Sequence, residues 1–214
     1  GTQDNGTISG SSLSLNSWNK IFGGDGFTVI YNPVDPLIYY VETQNGDIWA
    51  TSDGGVFIDY ISGSIDATDR RNWDMQYILS AHDPDVLYTG TYRIYKNTSG
   101  PTDNWVPISP DLTDGIVFAP RFHTISTVAE SPVNQDYLYA GTSDGNVWRS
   151  LNGGTTWDNI SAGIPDRYIT SVKPSKLNQD RLFVTVSGYK YNEFIPHVFK
   201  SINNGSSWID ISGN

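Results

Sequence analysis

Two aspartates near the start of the sequence lie in glycine-rich segments and could take part in acid–base chemistry. Asp4 belongs to the segment G-T-Q-D-N-G-T, and Asp25 belongs to the segment G-G-D-G. Two carboxylates held about 6.5–9.5 Å apart across a groove are the arrangement with which inverting glycosidases protonate the leaving group and activate water. The same residues are ordinary turn formers, and Asp-Asn-Gly is tight-turn chemistry. The sequence leaves both interpretations open at both positions.

A second group of residues could bind a ligand without transforming it. The segments 63–74, 110–123 and 188–196 are long and rich in aromatic or charged residues. Long loops on a rigid scaffold are where binding usually takes place, and exposed aromatic rings can stack on sugar rings. The alternative is that these rings pack neighbouring structural units. The candidate ligand-binding residues are Trp73, Arg121, His123, Tyr189, Tyr191 and Glu193.

The composition excludes several kinds of chemistry and partner. With 23 acidic against 13 basic residues, the net charge of −10 repels nucleic acids and anionic lipids. The absence of cysteine removes disulfides, thiolate metal sites and a cysteine nucleophile. There is no apolar run long enough to span a membrane, and the acidic turn at Asp66 lacks the ligand spacing of a calcium loop. We therefore expect no metal, no cofactor, no nucleic-acid partner and no membrane insertion.

A repeat indicates which elements must position these residues. An aromatic or apolar residue, two intervening positions and an Ile recur at steps of 40, 47, 52 and 51 residues, beginning at Trp18, Ile58, Trp105, Trp157 and Trp208. Such a period is typical of an architecture whose unit is a four-stranded sheet. Each complete unit contains four short runs enriched in Val, Ile, Tyr and Trp, and segments with helical periodicity are missing. The last two units predict strands at 125–131, 137–142, 146–150, 157–161, 169–175, 181–187, 197–201 and 208–212.

The most specific motif lies between the third and fourth runs of a unit. It reads S-L-N-G-G-T-T-W from Ser150, S-I-N-N-G-S-S-W from Ser201 and, as a near copy, T-S-D-G-G-V-F-I from Thr51. These segments resemble the Asp-box, or BNR repeat, with the pattern Ser-x-Asp-x-Gly-x-Thr-Trp. This repeat is found in sialidases, sortilin-type receptors, xyloglucan-active endoglucanases and a photosystem assembly factor. The resemblance implies an all-β fold, a β-propeller of four-stranded antiparallel blades.

The motif residues are expected to be structural. An Asp or Asn side chain accepts hydrogen bonds from its own turn, a Gly supplies the positive φ, and the Trp covers the hairpin. Asn152 and Asn203 keep the acceptor but cannot act as acids, and the copy from Asn97 is eroded to N-T-S-G-P-T-D-N-W. The structural positions are Thr51, Asp53, Gly55, Ser150, Asn152, Gly154, Trp157, Ser201, Asn203, Gly205 and Trp208.

The repeat divides the sequence into five units, of which the first is partial. That unit holds the end of a second strand, a third and a fourth strand. The unit ranges are 1–22, 23–62, 63–109, 110–161 and 162–214. Because about four and a half blades cannot close a ring, we expect a fragment of a larger propeller, and the resemblance implies seven or eight blades. Exposed blade edges then predict edge-to-edge self-association of the fragment.

The resemblance also implies where a ligand would bind. In these families the loops between second and third strands share a face with the loops between blades, and ligands bind mostly there. Xyloglucan-active endoglucanases show similar glycine-rich segments early in their repeats, which makes Asp25 a better catalytic candidate than Asp4. A sialidase is disfavoured because the Arg-Ile-Pro opening of that family is absent.

We expect a segment of an extracellular or cell-surface bacterial protein that binds a polysaccharide or protein ligand through this face. One alternative is a glycoside hydrolase of the xyloglucanase type, an endo-β-glucanase with paired carboxylates. The other is a non-catalytic protein-interaction scaffold.

Overall fold

Antiparallel β-strands make up nearly all regular structure in a computed structural model that describes residues 1–116 and 123–213. A two-stranded sheet comes first, with β1 at Thr7–Ser11 and β2 at Ser14–Phe22. The next sheet holds β3 (Val29–Tyr31), β4 (Tyr39–Thr43), β5 (Asp47–Thr51) and β6 (Asp59–Tyr60). It is followed by β7 (Tyr77–Leu79), β8 (Leu87–Gly90), β9 (Ile94–Asn97) and β10 (Trp105–Pro107).

Two further four-stranded sheets complete the described chain. One holds β11 (Ile125–Glu130), β12 (Leu138–Thr142), β13 (Val147–Ser150) and β14 (Asp158–Asn159). The other holds β15 (Tyr168–Pro174), β16 (Leu182–Ser187), β17 (His197–Ser201) and β18 (Ile209–Asp210). In all four sheets each strand pairs with its neighbours in sequence. The observed strands of these two sheets lie within one or two residues of the apolar runs that predicted them.

Consecutive sheets stack face to face and bury three apolar clusters between them. Tyr40 and Ile48 of the first four-stranded sheet pack with Tyr77 and Leu87 of the second. A second cluster joins β8 and β9 to β11 and β12, and a third joins β12 and β13 to β15, β16 and β17. Strand β11 contacts β7 and β8 on one side and β15 on the other. This is the blade packing of a β-propeller, which confirms the predicted fold class.

The hairpins between third and fourth strands share one hydrogen-bond pattern in three sheets. Ser150 Oγ donates to Asn152 Oδ1 at 2.9 Å and accepts from the Gly154 N–H at 2.8 Å, while Asn152 Oδ1 also accepts from the Thr156 N–H at 2.9 Å. The same bonds form from Ser201 and from Thr51. Gly154 has φ of +94°, a conformation that favours glycine. The motif therefore closes a hairpin with its own side chains.

The Asn152 side chain gives a direct test of this hairpin chemistry. Its Nδ2 donates to Thr156 Oγ1 at 2.9 Å, whereas its Oδ1 accepts the two bonds that close the turn. Asn152→Ala removes both acceptor bonds and is expected to lower the free energy of unfolding by about 1–2 kcal/mol. Asn152→Asp keeps the acceptor, and the Thr156 hydroxyl can turn to donate, so the expected change is within about 0.5 kcal/mol. Urea unfolding of both variants measures the difference, and equal losses would contradict the assignment.

An indole hydrogen bond connects each of three sheets to the preceding one. The Nε1 of Trp105 donates to the Ile61 carbonyl at 2.6 Å. The equivalent bonds run from Trp157 to Ile108 at 2.9 Å and from Trp208 to Ile160 at 2.8 Å. In the first four-stranded sheet the equivalent position is Ile58, whose side chain has no N–H to donate. The recurrent Trp and Ile residues of the sequence thus meet between neighbouring blades.

Candidate functional site

The segments between sheets lie against the turns that join second to third strands. The Asn45 N–H in the β4–β5 turn donates to the Trp73 carbonyl at 2.9 Å, and the Ser143 N–H in the β12–β13 turn donates to the Thr124 carbonyl at 2.9 Å. The Arg70 Nε donates to the His123 carbonyl at 3.0 Å. These contacts place both kinds of loop on one side of the sheets, which we call the loop face.

An exposed aromatic loop dominates the last blade on the loop face. The segment 188–196 joins β16 to β17 and contains a short 3₁₀ turn at Tyr189–Tyr191. Tyr189, Tyr191 and Phe194 are 72%, 62% and 74% exposed, so their rings are open to a ligand. The rings of Tyr189 and Phe194 meet edge to face, with centroids 6.2 Å apart.

A cavity lies beside this aromatic loop. Its volume is about 210 Å³, and it is lined by Tyr168, Thr170, Ser187, Tyr189 and Lys190. The Lys190 ammonium lies 5.1 Å from the centre of the Tyr168 ring. Hydroxyl groups of Thr170 and Ser187 therefore share the cavity with two aromatic rings and a cation. Tyr168 and Lys190 were not among the residues predicted from sequence.

A partly exposed network of ion pairs and hydrogen bonds around Glu193 positions the aromatic loop. Glu193 accepts hydrogen bonds from Arg167 Nε at 2.9 Å and from His197 Nε2 at 2.6 Å. The bonds from His197 and Arg167 hold the pKa of Glu193 below its ordinary value, so the carboxylate stays ionised. The Arg167 guanidinium also lies over the Tyr191 ring, 4.4 Å from its centre. Glu193 is therefore an anchor for the loop and not a proton donor.

Trp73 lies on the loop face at the start of the second four-stranded sheet. Half of its surface is exposed, and its ring meets Phe27 edge to face with centroids 6.5 Å apart. The preceding residue, Asn72, donates from Nδ2 to the Tyr168 hydroxyl at 3.3 Å. This bond joins residues 96 positions apart in sequence. The segment that carries Trp73 therefore reaches the rim of the aromatic cavity.

His123 and its neighbours form polar contacts within the loop face. His123 Nδ1 lies 2.7 Å from Asp144 Oδ2, which also accepts from the Asp114 N–H at 2.8 Å. Arg70 donates to Asp111 Oδ2 at 2.9 Å and lies over the Tyr92 ring. These bonds hold Asp111, Asp114 and His123 against neighbouring residues of the loop face. Arg121 lies outside the described residues.

The two candidate catalytic aspartates meet through a main-chain contact. Asp25 is only 8% exposed, and its Oδ1 accepts the Asp4 N–H at 2.7 Å. Asp4 has φ of +65°, and the Gly26 N–H donates to the Thr2 carbonyl at 3.0 Å. The Asp25 carboxylate therefore holds the segment 1–6 in its turn. This contact is the turn-forming chemistry that the sequence offered as the alternative to catalysis.

Two further carboxylates are buried, one on β4 and one in the segment that precedes β7. Glu42 on β4 is fully buried, and Asp69 is 6% exposed. Glu42 could have been noticed in the sequence as an acidic residue inside the strand-like run Y-Y-V-E-T. Every residue of this strand is buried in the structure. Among the residues 1–116 and 123–213, no group of three or more His, Asp or Glu could hold a metal ion. The described chain also contains no helix of the length and hydropathy needed to cross a membrane.

The fold defines a β-propeller chain whose loop face carries exposed aromatic rings and several ion pairs. No family model matches the chain. It is 24% identical to a xyloglucanase of Hypocrea jecorina (strain QM6a) over 162 residues, which cover 68% of this chain and 19% of that protein. It is 28% identical to vacuolar protein sorting/targeting protein 10 of Colletotrichum graminicola over 91 residues, which cover 39% of this chain and 6% of that protein.

Solved structures show the same fold. The GH74 xyloglucanase from Xanthomonas campestris superposes with a TM-score of 0.64 at 19% identity, covering 90% of this chain and 31% of the xyloglucanase. YCF48 from Cyanidioschyzon merolae superposes with a TM-score of 0.57 at 14% identity, covering 91% of this chain and 60% of YCF48. The chain thus spans about a fifth or less of the two relatives matched by sequence. These similarities support the fold and leave the activity to be proposed.

Proposed function

We propose that this chain is part of an extracellular or cell-surface protein and binds a polysaccharide through its loop face. The observation that carries the proposal is the cavity between Tyr168 and Tyr189, which adjoins the exposed rings of Tyr191 and Phe194. Pyranose rings present apolar faces to aromatic rings and hydroxyl groups at their edges. Thr170, Ser187 and Lys190 supply polar groups beside those rings.

The charges of the loop face favour a neutral polysaccharide. Four arginines of the described residues pair with a carboxylate: Arg70 with Asp111 at 2.9 Å, Arg71 with Asp47 at 3.9 Å, Arg93 with Asp69 at 2.9 Å and Arg167 with Glu193 at 2.9 Å. An anionic ligand would have to compete with these carboxylates and with the net charge of −10. A neutral glycan can stack and form hydrogen bonds on this face without displacing any of these ion pairs.

Affinity gel electrophoresis with xyloglucan and other neutral β-glucans tests this proposal. Truncating a ring that stacks on a sugar removes about 1.4 kcal/mol or more, so we expect Tyr189→Ala to weaken binding about tenfold. Trp73→Ala is expected to act in the same direction. Tyr31→Ala is the matched control, because Tyr31 is 52% exposed but ends β3 on the side away from the loop face. Unchanged retardation of Tyr189→Ala, or no retardation of the unaltered chain, would contradict the proposal.

Hydrolysis is the second candidate function, and similarity to xyloglucanases is the observation that favours it. Release of reducing ends from β-glucans, abolished by Asp25→Asn, would support paired-carboxylate chemistry. We expect no release, because the Asp25 carboxylate is buried and bonded to the Asp4 main chain. Binding of a peptide to the exposed apolar side chains of the loop 188–196 would instead support a protein-interaction scaffold.

A further inference from the structure

Glu42 is a buried carboxylate without a hydrogen-bond partner. It has no exposed surface, and neither Oε1 nor Oε2 makes a hydrogen bond in the described structure. Glu130, on β11, shows the usual arrangement: its carboxylate accepts from Ser80 Oγ at 2.7 Å, from the Ala81 N–H at 2.7 Å and from the Tyr88 hydroxyl at 3.2 Å. A buried ionised carboxylate without such donors is unfavourable. The Glu42 carboxylate therefore lacks the hydrogen-bond donors that surround the buried carboxylate of Glu130.

The groups that face Glu42 come from the next sheet and from the segment leading into β3. Asp74 precedes β7, and Tyr77 on β7 donates its hydroxyl to the Thr28 carbonyl at 3.2 Å. The backbone N–H groups of Thr28 and Met75 favour the ionised form of Glu42, but neither makes a hydrogen bond of normal geometry to its carboxylate. The ion pairs within 1–116 and 123–213 do not include Glu42. Glu42 therefore interacts electrostatically with a carboxylate and a phenol, and within the described residues it has no ion-pair partner.

Burial, followed by the nearby Asp74 carboxylate, raises the pKa of Glu42 to about 8. Burial also raises the pKa of Asp74. Glu42 is therefore protonated at neutral pH in the folded chain. A mildly alkaline solution removes this proton and places a negative charge beside Asp74.

The main chain around Glu42 is connected directly to the loop face. The Glu42 carbonyl accepts the Phe27 N–H at 3.3 Å, and the Trp73 ring meets the Phe27 ring. The Asn45 N–H donates to the Trp73 carbonyl, and a Cβ atom at Gly46 would collide with Met75. The segment that holds Trp73 therefore lies tightly against the end of β4. Any repulsion between Glu42 and Asp74 acts on this segment.

We propose that Glu42 and Asp74 form a proton-operated latch between the first two four-stranded sheets. With a proton on Glu42, the segment 73–75 lies closed against β4, and Trp73 keeps its place beside Phe27. Loss of that proton to solvent leaves two carboxylates that repel each other, and the segment moves away from β4. The role of the latch in ligand binding rests on the proposed function, whereas the movement itself requires no ligand.

The direction of the pH effect follows from linkage. The folded chain holds the Glu42 proton more tightly than the unfolded chain, whose Glu side chains titrate near the ordinary value of 4.5. The stability from this group is therefore fully present below that value and is lost as pH rises through about 8. Closure of the segment 73–75 is lost in the same pH range.

Tryptophan fluorescence of the ligand-free chain tests the latch. The difference between the unaltered chain and Trp73→Phe isolates the Trp73 signal, which we expect to move to longer wavelength with a midpoint near pH 8. Glu42→Gln keeps the shape of the side chain without its ionisation, so this transition is expected to disappear. The comparison with Glu42→Gln is essential, because only a transition caused by ionisation of Glu42 is lost in that variant. A transition that persists unchanged in Glu42→Gln would overturn the proposal.

Thermal unfolding and a second variant provide independent readouts. The Tm of Glu42→Gln is expected to exceed that of the unaltered chain by several degrees at about pH 9.5, and the excess should shrink as pH falls. Asp74→Asn removes the repelling charge and should lower the pH at which Glu42 ionises, so the Trp73 midpoint should fall. An unchanged midpoint in Asp74→Asn contradicts the latch even if Glu42→Gln does not fold. Because none of these measurements uses a glycan, failure of polysaccharide binding would leave their outcome unaffected.

Discussion

Asp69→Asn is expected to lower the free energy of unfolding by about 3–5 kcal/mol, the range found when one partner of a buried ion pair is removed. The Asp69 side chain has no exposed surface and accepts from Arg93 Nε at 2.9 Å and Nη2 at 3.0 Å. It also accepts from the Thr91 and Tyr95 hydroxyls, both at 2.8 Å. The amide would present an N–H₂ group to these donors and remove the buried carboxylate that compensates the Arg93 charge. Urea unfolding should show a lower midpoint with an unchanged slope.

Asp66→Asn is the matched control for this prediction. Asp66 pairs with the same guanidinium, with Oδ2 3.5 Å from Arg93 Nη2, but its side chain is 50% exposed. An exposed pair of this kind contributes about 0–1 kcal/mol, so the control should remain close to the unaltered chain. Equal destabilisation by the two variants would show that burial of the Asp69 pair has no special role.

The pH dependence of the Asp69 variant provides a second check. Burial works to raise the pKa of Asp69, but the hydrogen bonds from Arg93, Tyr95 and Thr91 outweigh it and hold the pKa below its ordinary value. A lowered pKa contributes stability above the unfolded value of about 3.9, and that stability is lost as pH falls through the folded value. The difference between the unaltered chain and Asp69→Asn should therefore be constant from neutral to mildly acidic pH and shrink in strong acid.

Trp105→Ala is expected to lower the free energy of unfolding by about 3–5 kcal/mol, the usual loss for a large buried aromatic side chain. Trp105 is 4% exposed, packs in the cluster between the first two four-stranded sheets and donates to the Ile61 carbonyl. Trp105→Phe keeps much of the packing and loses the N–H, so its expected loss is about 1–3 kcal/mol. Calorimetry or urea unfolding can rank the variants.

Trp18→Ala tests whether the loss of stability on replacing a tryptophan depends on its position in the repeat or on how tightly its side chain is packed. Trp18 opens the same aromatic-x-x-Ile pattern but is 65% exposed on β2. Its replacement should change the free energy of unfolding by no more than about 0.5 kcal/mol. A large loss for Trp18→Ala would indicate that β2 is packed in solution more closely than its exposure suggests.

The blades could be predicted from sequence because their signals are local. Strand length, the turn residues and the motif around Ser150 act within a few positions, and the hairpin bonds of Ser150 and Asn152 close within six residues. The Trp and Ile positions also recur at a regular distance, and this predicted the repeat. It did not predict the hydrogen bond from each indole to the Ile carbonyl of the preceding blade. Fold class was therefore accessible without any knowledge of tertiary contacts.

The candidate site was less accessible because its contacts are distant in sequence. The bond from Asn72 to Tyr168 spans 96 positions, and nothing near Tyr168 marked it as part of the cavity. Likewise, the role of Asp25 depends on a main-chain N–H that lies 21 positions away. The pairing of Arg70 and Arg167 with carboxylates could not be predicted, since it depends on how neighbouring loops meet in the fold. Tyr189 and Tyr191 could be proposed from sequence because their loop is long and aromatic by itself.

The indole hydrogen bonds between blades have a fixed order along the chain, which matters during synthesis. Each acceptor precedes its donor, by 44 residues for Ile61 and Trp105, 49 for Ile108 and Trp157, and 48 for Ile160 and Trp208. In each of these three pairs the ribosome therefore synthesises the accepting blade before the tryptophan that donates to it. We therefore expect each of these three blades to gain its indole bond only after the following blade has been made.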